Sequence, residues 1–260
     1  MAPILVAKKV TKRFGGLVAV DDVAFRITER EIVGIFGPNG SGKTTLMNVI
    51  AGVFPATRGE VRWKGRALGG LRTDEVAACG VVKTFQNPQL FRELTVAENV
   101  RVAGHLLLKS ELGAARVRTI LPSAFRTAAA RKIDARVAAV LEMTQLEAQS
   151  RELAGSLSYG GEKMLGVAMA LMCAPSMLLL DEPGSGLSHD ELDRLSDVLR
   201  RLRGQGMTLC VIDHRVGFLG ALADRAIVLY HGSKIAEGTP SQVLSQRAVI
   251  EAYLGDAHVA

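Results

Sequence analysis

Gly37-Pro38-Asn39-Gly40-Ser41-Gly42-Lys43-Thr44, with Thr45 next, satisfies the pattern G-x-x-x-x-G-K-[ST] and decides how its surroundings are read. Upstream, Glu31-Ile32-Val33-Gly34-Ile35-Phe36 is a short apolar, β-branched run that reads as a buried strand. Downstream, Leu46, Val49 and Ile50 recur at helical spacing, and Gly52 reads as the stop. Gly37, Gly40 and Gly42 let the backbone curl so that successive N–H groups face phosphate oxygens. The new helix adds the positive end of its dipole. In this context Lys43 reaches the β- and γ-phosphates and the Thr44 hydroxyl ligates Mg²⁺. The stretch is a nucleotide-binding loop.

Length and composition set the frame. With 260 residues, 48% hydrophobic and 22% charged, the chain suits one large domain or a domain with a subdomain. No apolar run approaches the roughly 18 residues of a membrane span, and the N-terminus reverses the charge order of a signal peptide. The chain is therefore expected to stay in the cytoplasm. Cys79, Cys173 and Cys210 are widely spaced and read as buried thiols, neither a disulfide framework nor metal ligands. The net charge of +6 is compatible with nucleic acid, an anionic membrane surface or polyphosphate, with a solvated excess as the default.

Along the chain, Ile4 to Val10 and Val23 to Ile27 alternate like antiparallel strands, with Arg13 to Val20 between them. Gly59 to Trp63 is another β pattern, Leu71 to Ala78 reads as helical turns, and Val81 to Phe85 reads as a strand ending at Gln86. From Asn87 to Ala154 the pattern turns helical. Thr95-Val96-Ala97-Glu98 is a capping-box start for a helix to about Leu108, and a long helix runs from about Ala124 to Leu146. Arg116, Arg118, Arg126, Arg131, Lys132 and Arg136 gather here around one acid, Asp134. Strands and helices then alternate again: strands at Met177 to Leu180, Thr208 to Ile212, Ala226 to Leu229 and an edge strand at Ser233 to Glu237, with short helices near the end. Such alternation means a largely parallel sheet covered on both faces.

Further constellations carry chemistry. Met177 to Leu180 is an apolar strand that ends in Asp181-Glu182, and buried carboxylates require something positive. Beside a phosphate loop that partner is Mg²⁺ for Asp181, with Glu182 orienting or deprotonating the attacking water. Leu157-Ser158-Tyr159-Gly160-Gly161-Glu162 places a serine and two glycines before a helix, either an ordinary cap or a second anion site. A second phosphate site on one nucleotide suggests recognition by a partner copy. Gln86 sits at the border of the helical stretch, suited to ligate Mg²⁺ and water. His214 follows a strand, structural or catalytic. Phe14, beside Gly15-Gly16, is either a core aromatic at a turn or a stacking platform for adenine.

Taken in order, these elements resemble the ATP-binding cassette ATPases over nearly the whole chain. The resemblance implies an α/β fold: a P-loop NTPase core with a mostly parallel sheet, an N-terminal antiparallel β subdomain and an inserted helical subdomain. It divides the chain into 1–86 (first half of the core with the antiparallel subdomain), 87–154 (helical subdomain), 155–240 (second half of the core) and 241–260 (helical tail). It gives Phe14 as the adenine-stacking aromatic, Gly37 to Thr45 as Walker A and Gln86 as the Q-loop. It also gives Leu157 to Gly161 as the signature, Met177 to Asp181 as Walker B, Glu182 as the catalytic glutamate and His214 as the switch histidine. ATP and Mg²⁺ are the implied cofactors, with Thr44, Gln86 and Asp181 around the metal. The implied working unit is a head-to-tail dimer, a homodimer or a pair with a sister ATPase. Each ATP then lies between Walker A of one subunit and Ser158, Gly160 and Gly161 of the other. Integral membrane permeases are the further partners, reached indirectly by an extracytoplasmic substrate-binding protein. Nucleic acid is not expected, and the implied location is the cytoplasmic face of the inner membrane.

Tyr159 in the signature, Thr84-Phe85-Gln86-Asn87-Pro88-Gln89-Leu90-Phe91 at the Q-loop, the long insertion and the ending Val249-Ile250-Glu251-Ala252-Tyr253-Leu254-Gly255 are together similar to the ATPases of branched-chain amino-acid importers. Relatives of that group serve urea and short amides, so the resemblance leaves the cargo open. Three positions depart from the usual pattern: Gly161 stands where Gln is usual, Met169 where many members carry Arg, and Ser188 in place of Asp or Asn. None removes a group that touches metal or water. A soluble cassette ATPase acting on nucleic acid or ribosomes, and a cassette that binds ATP without hydrolysing it, are the competing readings. The absence of a second cassette in the chain opposes the former, and the presence of Glu182 and His214 the latter.

Overall fold

The computed structural model describes residues 3–104 and 123–256, with side chains over 3–104 and 130–253. In chain order the strands and helices are β1 (Pro3–Phe14), β2 (Leu17–Thr28), β3 (Ile32–Phe36), α1 (Lys43–Ile50), β4 (Arg58–Trp63), β5 (Arg66–Ala67), α2 (Thr73–Ala78), β6 (Val81–Lys83), α3 (Val96–Ala103), α4 (Ser123–Met143), α5 (Tyr159–Leu171) and β7 (Met177–Asp181). Then come α6 (His189–Gly204), β8 (Thr208–Ile212), α7 (Val216–Leu222), β9 (Arg225–Tyr230), β10 (Ser233–Gly238), α8 (Pro240–Leu244) and α9 (Arg247–Asp256). They form two compact units. The first takes the chain up to Lys83, Ser176–Ser185 and everything from Leu202; the second takes Thr84–Pro175 and Gly186–Arg201.

The first unit holds two sheets. β3, β7 and β8 are buried at every residue and apolar but for Asp181 and Thr208, as suits strands covered on both faces. They sit in a six-stranded sheet of order β10-β9-β3-β8-β7-β6, parallel throughout except for β10, which pairs antiparallel at the edge. Ile212 pairs with Ile35 on one side and Asp181 on the other. The C-terminal ends of β3, β7 and β8 therefore share one edge of the sheet, the edge at which open α/β sheets bind ligands. The second sheet, of order β2-β1-β4-β5, is antiparallel and buries one face. Trp63 anchors it at 2% exposure and donates its indole N–H to the Cys79 carbonyl at 2.8 Å. The stretch Arg13 to Val20 is no separate segment: β1 and β2 run into it, and Phe14 opposes Leu17 around Gly15-Gly16.

The second unit contains α3, α4, α5 and most of α6. The capping box forms as the sequence predicts: Thr95 Oγ1 accepts the Glu98 N–H, and Glu98 accepts the Thr95 N–H in return. Asn99, fully buried, bonds the Phe91 N–H at 2.9 Å and carbonyl at 3.0 Å, folding the preceding segment against α3. Arg136 caps the end of α5 with a hydrogen bond to the Leu171 carbonyl at 2.7 Å, and Arg101, outside the basic cluster, holds Asp134. Arg116, Arg118 and the Arg126 side chain lie outside the described residues, as do the continuation of α3 to Leu108 and the start of the long helix as far as its side chains go.

Two expectations shift. β6 stops at Lys83, short of Gln86, because its pairing with β7 ends at Lys83 and Leu179. Of the three cysteines only Cys210 is buried, its thiol pushed up to about 12 by desolvation; Cys79 and Cys173 are half-buried. Among the described residues no helix is long and apolar enough to cross a membrane.

Candidate active site

The loop from β3 to α1 is shaped by its glycines. Gly42 caps α1 at φ 96°, and a Cβ there would stand 2.3 Å from the Ala19 carbonyl oxygen, so a side chain is excluded. Lys43 begins the helix with 6% exposure and donates its ammonium to the Gly37 and Pro38 carbonyls, each at 2.7 Å. Burial draws its pKa below the ordinary lysine value against the opposing pull of Glu182 and Asp181. The ammonium is thus held over the loop by weak neutral acceptors that a phosphate can replace.

Facing it is the end of β7. Asp181 is 4% exposed; its Oδ1 accepts the Thr44 hydroxyl at 3.3 Å, and its Oδ2 pairs with Lys83 Nζ at 2.9 Å. A hydroxyl and a carboxylate this close are the hard oxygen donors that Mg²⁺ takes, with water and phosphate completing an octahedron. The residues fit that ion. Glu182 follows at φ 51°, a left-handed conformation unusual for a non-glycine residue, and donates its N–H to the Ile212 carbonyl at 2.8 Å. Next door, just past the end of β8, Asp213 is buried. It accepts the Gly184 N–H at 2.8 Å and the Arg215 N–H at 3.0 Å, and its carboxylate stands 3.8 Å from His214 Nδ1. One carboxylate thus ties the turn after Glu182 to the turn carrying His214.

A cleft of about 490 Å³ opens over this arrangement, lined by Phe14, Ala19, Asn39 to Thr45, Glu182 and His231. Phe14 is 44% exposed at its rim, edge-on to Phe54 with ring centroids 5.2 Å apart and Lys12 Nζ 5.0 Å above it. A ring left open at the mouth of a phosphate site can stack on a base.

The remaining sequence-derived candidates lie in the second unit. Gln86 is exposed, with its carbonyl accepting the Lys163 ammonium. Ser158 is the N-cap of α5: its hydroxyl oxygen accepts the Gly161 N–H at 3.1 Å and its O–H donates to Glu191 Oε1 at 3.3 Å. At Gly160 a Cβ would meet that same Glu191 oxygen at 2.3 Å. The Glu191 carboxyl is drawn below its ordinary pKa, chiefly by the Ser188 N–H, with Ser158 and the Gly160 backbone adding to it. Ser188 completes a capping box for α6, taking the role that Asp or Asn fills equally well at an N-cap.

The first unit therefore lines one cleft with Phe14, Asn39 to Thr45 and Glu182, sets Asp181 against Thr44, and carries His214 just past the adjacent strand end. Gln86, Ser158, Gly160 and Gly161 belong to the other unit. Sequence reading missed Lys83, Asn48, Glu191, His231 and Tyr253. For Tyr253 the motif at the chain end was the available signal, and for Glu191 the S-x-x-E spacing from Ser188.

A strand, a glycine loop, a helix and an acidic strand end alongside define a P-loop nucleotide-binding ATPase core. Residues 20–185 match the ABC transporter family model, and residues 233–259 match that of the branched-chain amino acid ATP-binding cassette transporters. The chain belongs to the ABC transporter family, as its ATP-hydrolysing subunit. It is 39% identical, over 98% of its own length and 99% of the relative's, to the high-affinity branched-chain amino acid transport ATP-binding protein LivG of Salmonella typhimurium. An ATP-binding cassette of an ABC transporter solved in its ADP conformation matches with a TM-score of 0.83 at 29% identity, covering 98% of this chain and 100% of that one. A dimeric cassette in a post-hydrolysis state, bound to ADP and Pi, matches with a TM-score of 0.73 at 27% identity, over 91% of this chain and 98% of its own.

Proposed function

We propose that this ATPase works as one half of a cassette dimer that powers uptake of branched-chain amino acids through membrane permeases. The observation that carries it is the convergence of Lys43, Thr44 and Glu182 on one cleft, with Asp181 bonded to the Thr44 hydroxyl behind it. The match at 233–259 and the LivG relative support the cargo. The dimeric neighbour supports the pairing. In this reading the chain works as 1–86 and 155–240 forming the nucleotide-binding core, 87–154 the helical subdomain and 241–260 the helical tail.

In it, Lys43 leaves the Gly37 and Pro38 carbonyls for the β- and γ-phosphates, and Phe14 stacks on adenine. Thr44 and Asp181 would hold Mg²⁺, which when bound would neutralise charge on the phosphates. Glu182 orients and deprotonates the attacking water, and His214 supports it from the next strand end. Ser158, Gly160 and Gly161 of the partner close over the γ-phosphate. Closure is favoured only while that phosphate bridges both subunits, so its loss reopens the dimer and drives the permeases. The subunit then sits on the cytoplasmic face of the inner membrane, held there by the permeases.

Purification of the tagged chain from native membranes, followed by reconstitution of whatever co-purifies, tests this. Two multi-span permeases and ATP-dependent leucine uptake are expected. Uptake of urea or short amides instead would replace the cargo. Ribosomal partners without permeases would overturn the transport reading and leave the ATPase chemistry standing.

A further inference from the structure

The ending Val249 to Gly255 carries family likeness and no chemistry so far, yet its tyrosine reaches the phosphate loop. Tyr253 is partly buried on α9, and its hydroxyl oxygen accepts the Gly37 N–H at 2.8 Å from 216 residues away in sequence. Gly37 is the residue at which the chain leaves β3 for the loop. Its φ is 143°, and a Cβ there would stand 2.1 Å from the Leu229 carbonyl oxygen, so only glycine fits. That fit leaves the most freely rotating residue type at the root of the loop. On the other side of the same α-carbon, the Gly37 carbonyl accepts the Lys43 ammonium at 2.7 Å. The Tyr253 hydroxyl and the Lys43 ammonium thus hold the two peptide groups on either side of the Gly37 α-carbon. Burial keeps the phenol above its ordinary pKa despite the Gly37 N–H, so Tyr253 stays neutral at physiological pH.

We propose that Tyr253 is a positioning residue for the phosphate loop, fixing Gly37 so that the loop and Lys43 are formed before the nucleotide arrives. This rests on the loop being the ATP site. A free glycine root must be ordered on binding, and a tether removes that cost from the phosphate-binding step. The base contacts, made by the separate antiparallel sheet, are untouched by it.

Tyr253→Phe deletes the oxygen and keeps the ring. In the full-length protein, ADP affinity is expected to weaken about fivefold, the scale of one net hydrogen bond. The inhibition constant of adenosine, which has no phosphates, is expected to stay the same, with kcat at saturating ATP within about twofold. Unchanged ADP affinity, or equal loss for ADP and adenosine, would overturn the proposal, the second by reducing Tyr253 to a general stabiliser. Should the variant fail to fold, amide exchange in the wild type decides. The Gly37 N–H is expected among the slowly exchanging amides, and fast exchange there sinks the tether. A wild-type protein that binds no ADP at all would instead count against the loop as the ATP site.

Discussion

Lys83 Nζ stands 2.9 Å from Asp181 Oδ2 and at the same time donates to Asn48 Oδ1 at 2.7 Å. The carboxylate facing Thr44 is therefore neutralised by a lysine of the neighbouring strand. Both side chains are largely withdrawn from water, at 13% and 5% exposure. Removing one partner of such a pair leaves a buried charge unpaired, at a cost of about 3 kcal/mol. Lys83→Met is expected to lower nucleotide-free stability by about that much in urea denaturation. Mg²⁺ with ADP should restore most of the loss, because the ion supplies the missing positive charge. Equal destabilisation with and without Mg²⁺ and ADP would show that Asp181 does not face the metal.

The buried Lys43 ammonium makes nucleotide binding depend on pH. Desolvation lowers its pKa in the free protein, while phosphate oxygens favour the charged form. Binding then takes up a proton once the free lysine has begun to lose its own. Affinity should consequently fall as pH rises, starting below the ordinary lysine range. ADP titrations across an alkaline series check the sign: the wild type loses affinity on that limb. Lys43→Ala should bind about tenfold to a hundredfold more weakly, with the limb flattened. A limb that persists in the variant would assign it to another group.

How much of this was legible in the sequence follows from how local each contact is. The phosphate loop is a backbone device within a few residues, so Gly37 to Thr44 could be read directly. β8 and the apolar run of β7 likewise declare themselves by composition, and the Thr95–Glu98 box by spacing. Lys83 could not be read. In Val81 to Phe85 it is one charge in a short β pattern, and only the pairing of β6 with β7 brings it to Asp181. The same pairing ends the strand before Phe85, which is 69% exposed despite its β propensity. Arg13 to Val20 resisted because its two halves belong to different strands of one hairpin.

Glu191 places a carboxylate against the Ser158 hydroxyl and the Gly160 backbone, the donors that the dimer reading assigns to a partner's phosphate. Two anions cannot share those donors, so the carboxylate opposes closure. Glu191→Gln keeps the shape and the cap of α6 while removing the charge. ATP-dependent dimerisation, followed by analytical ultracentrifugation, should then need about fivefold less ATP, the scale of one exposed charge interaction. Added salt should narrow the difference between variant and wild type. Identical dimerisation curves would mean that the signature does not receive the phosphate or that Glu191 leaves it freely.

Glu182 carries the sharpest test of the chemistry. It lines the cleft over the phosphate loop, its backbone is pinned by the Ile212 carbonyl, and the following turn is tied by Asp213. A group so fixed can orient a water, and a carboxylate brings no positive charge to the ground-state binding of phosphates. Glu182→Gln retains size and hydrogen bonding but cannot take a proton. Hydrolysis should drop about a thousandfold, within the range for loss of a general base, while ATP affinity stays near wild type. An uncleaved γ-phosphate should also trap the closed state, so the variant is expected to accumulate as a dimer in ATP and to separate in ADP. Turnover at the wild-type rate would move the base elsewhere, with His214 on the adjacent strand end as the first residue to replace.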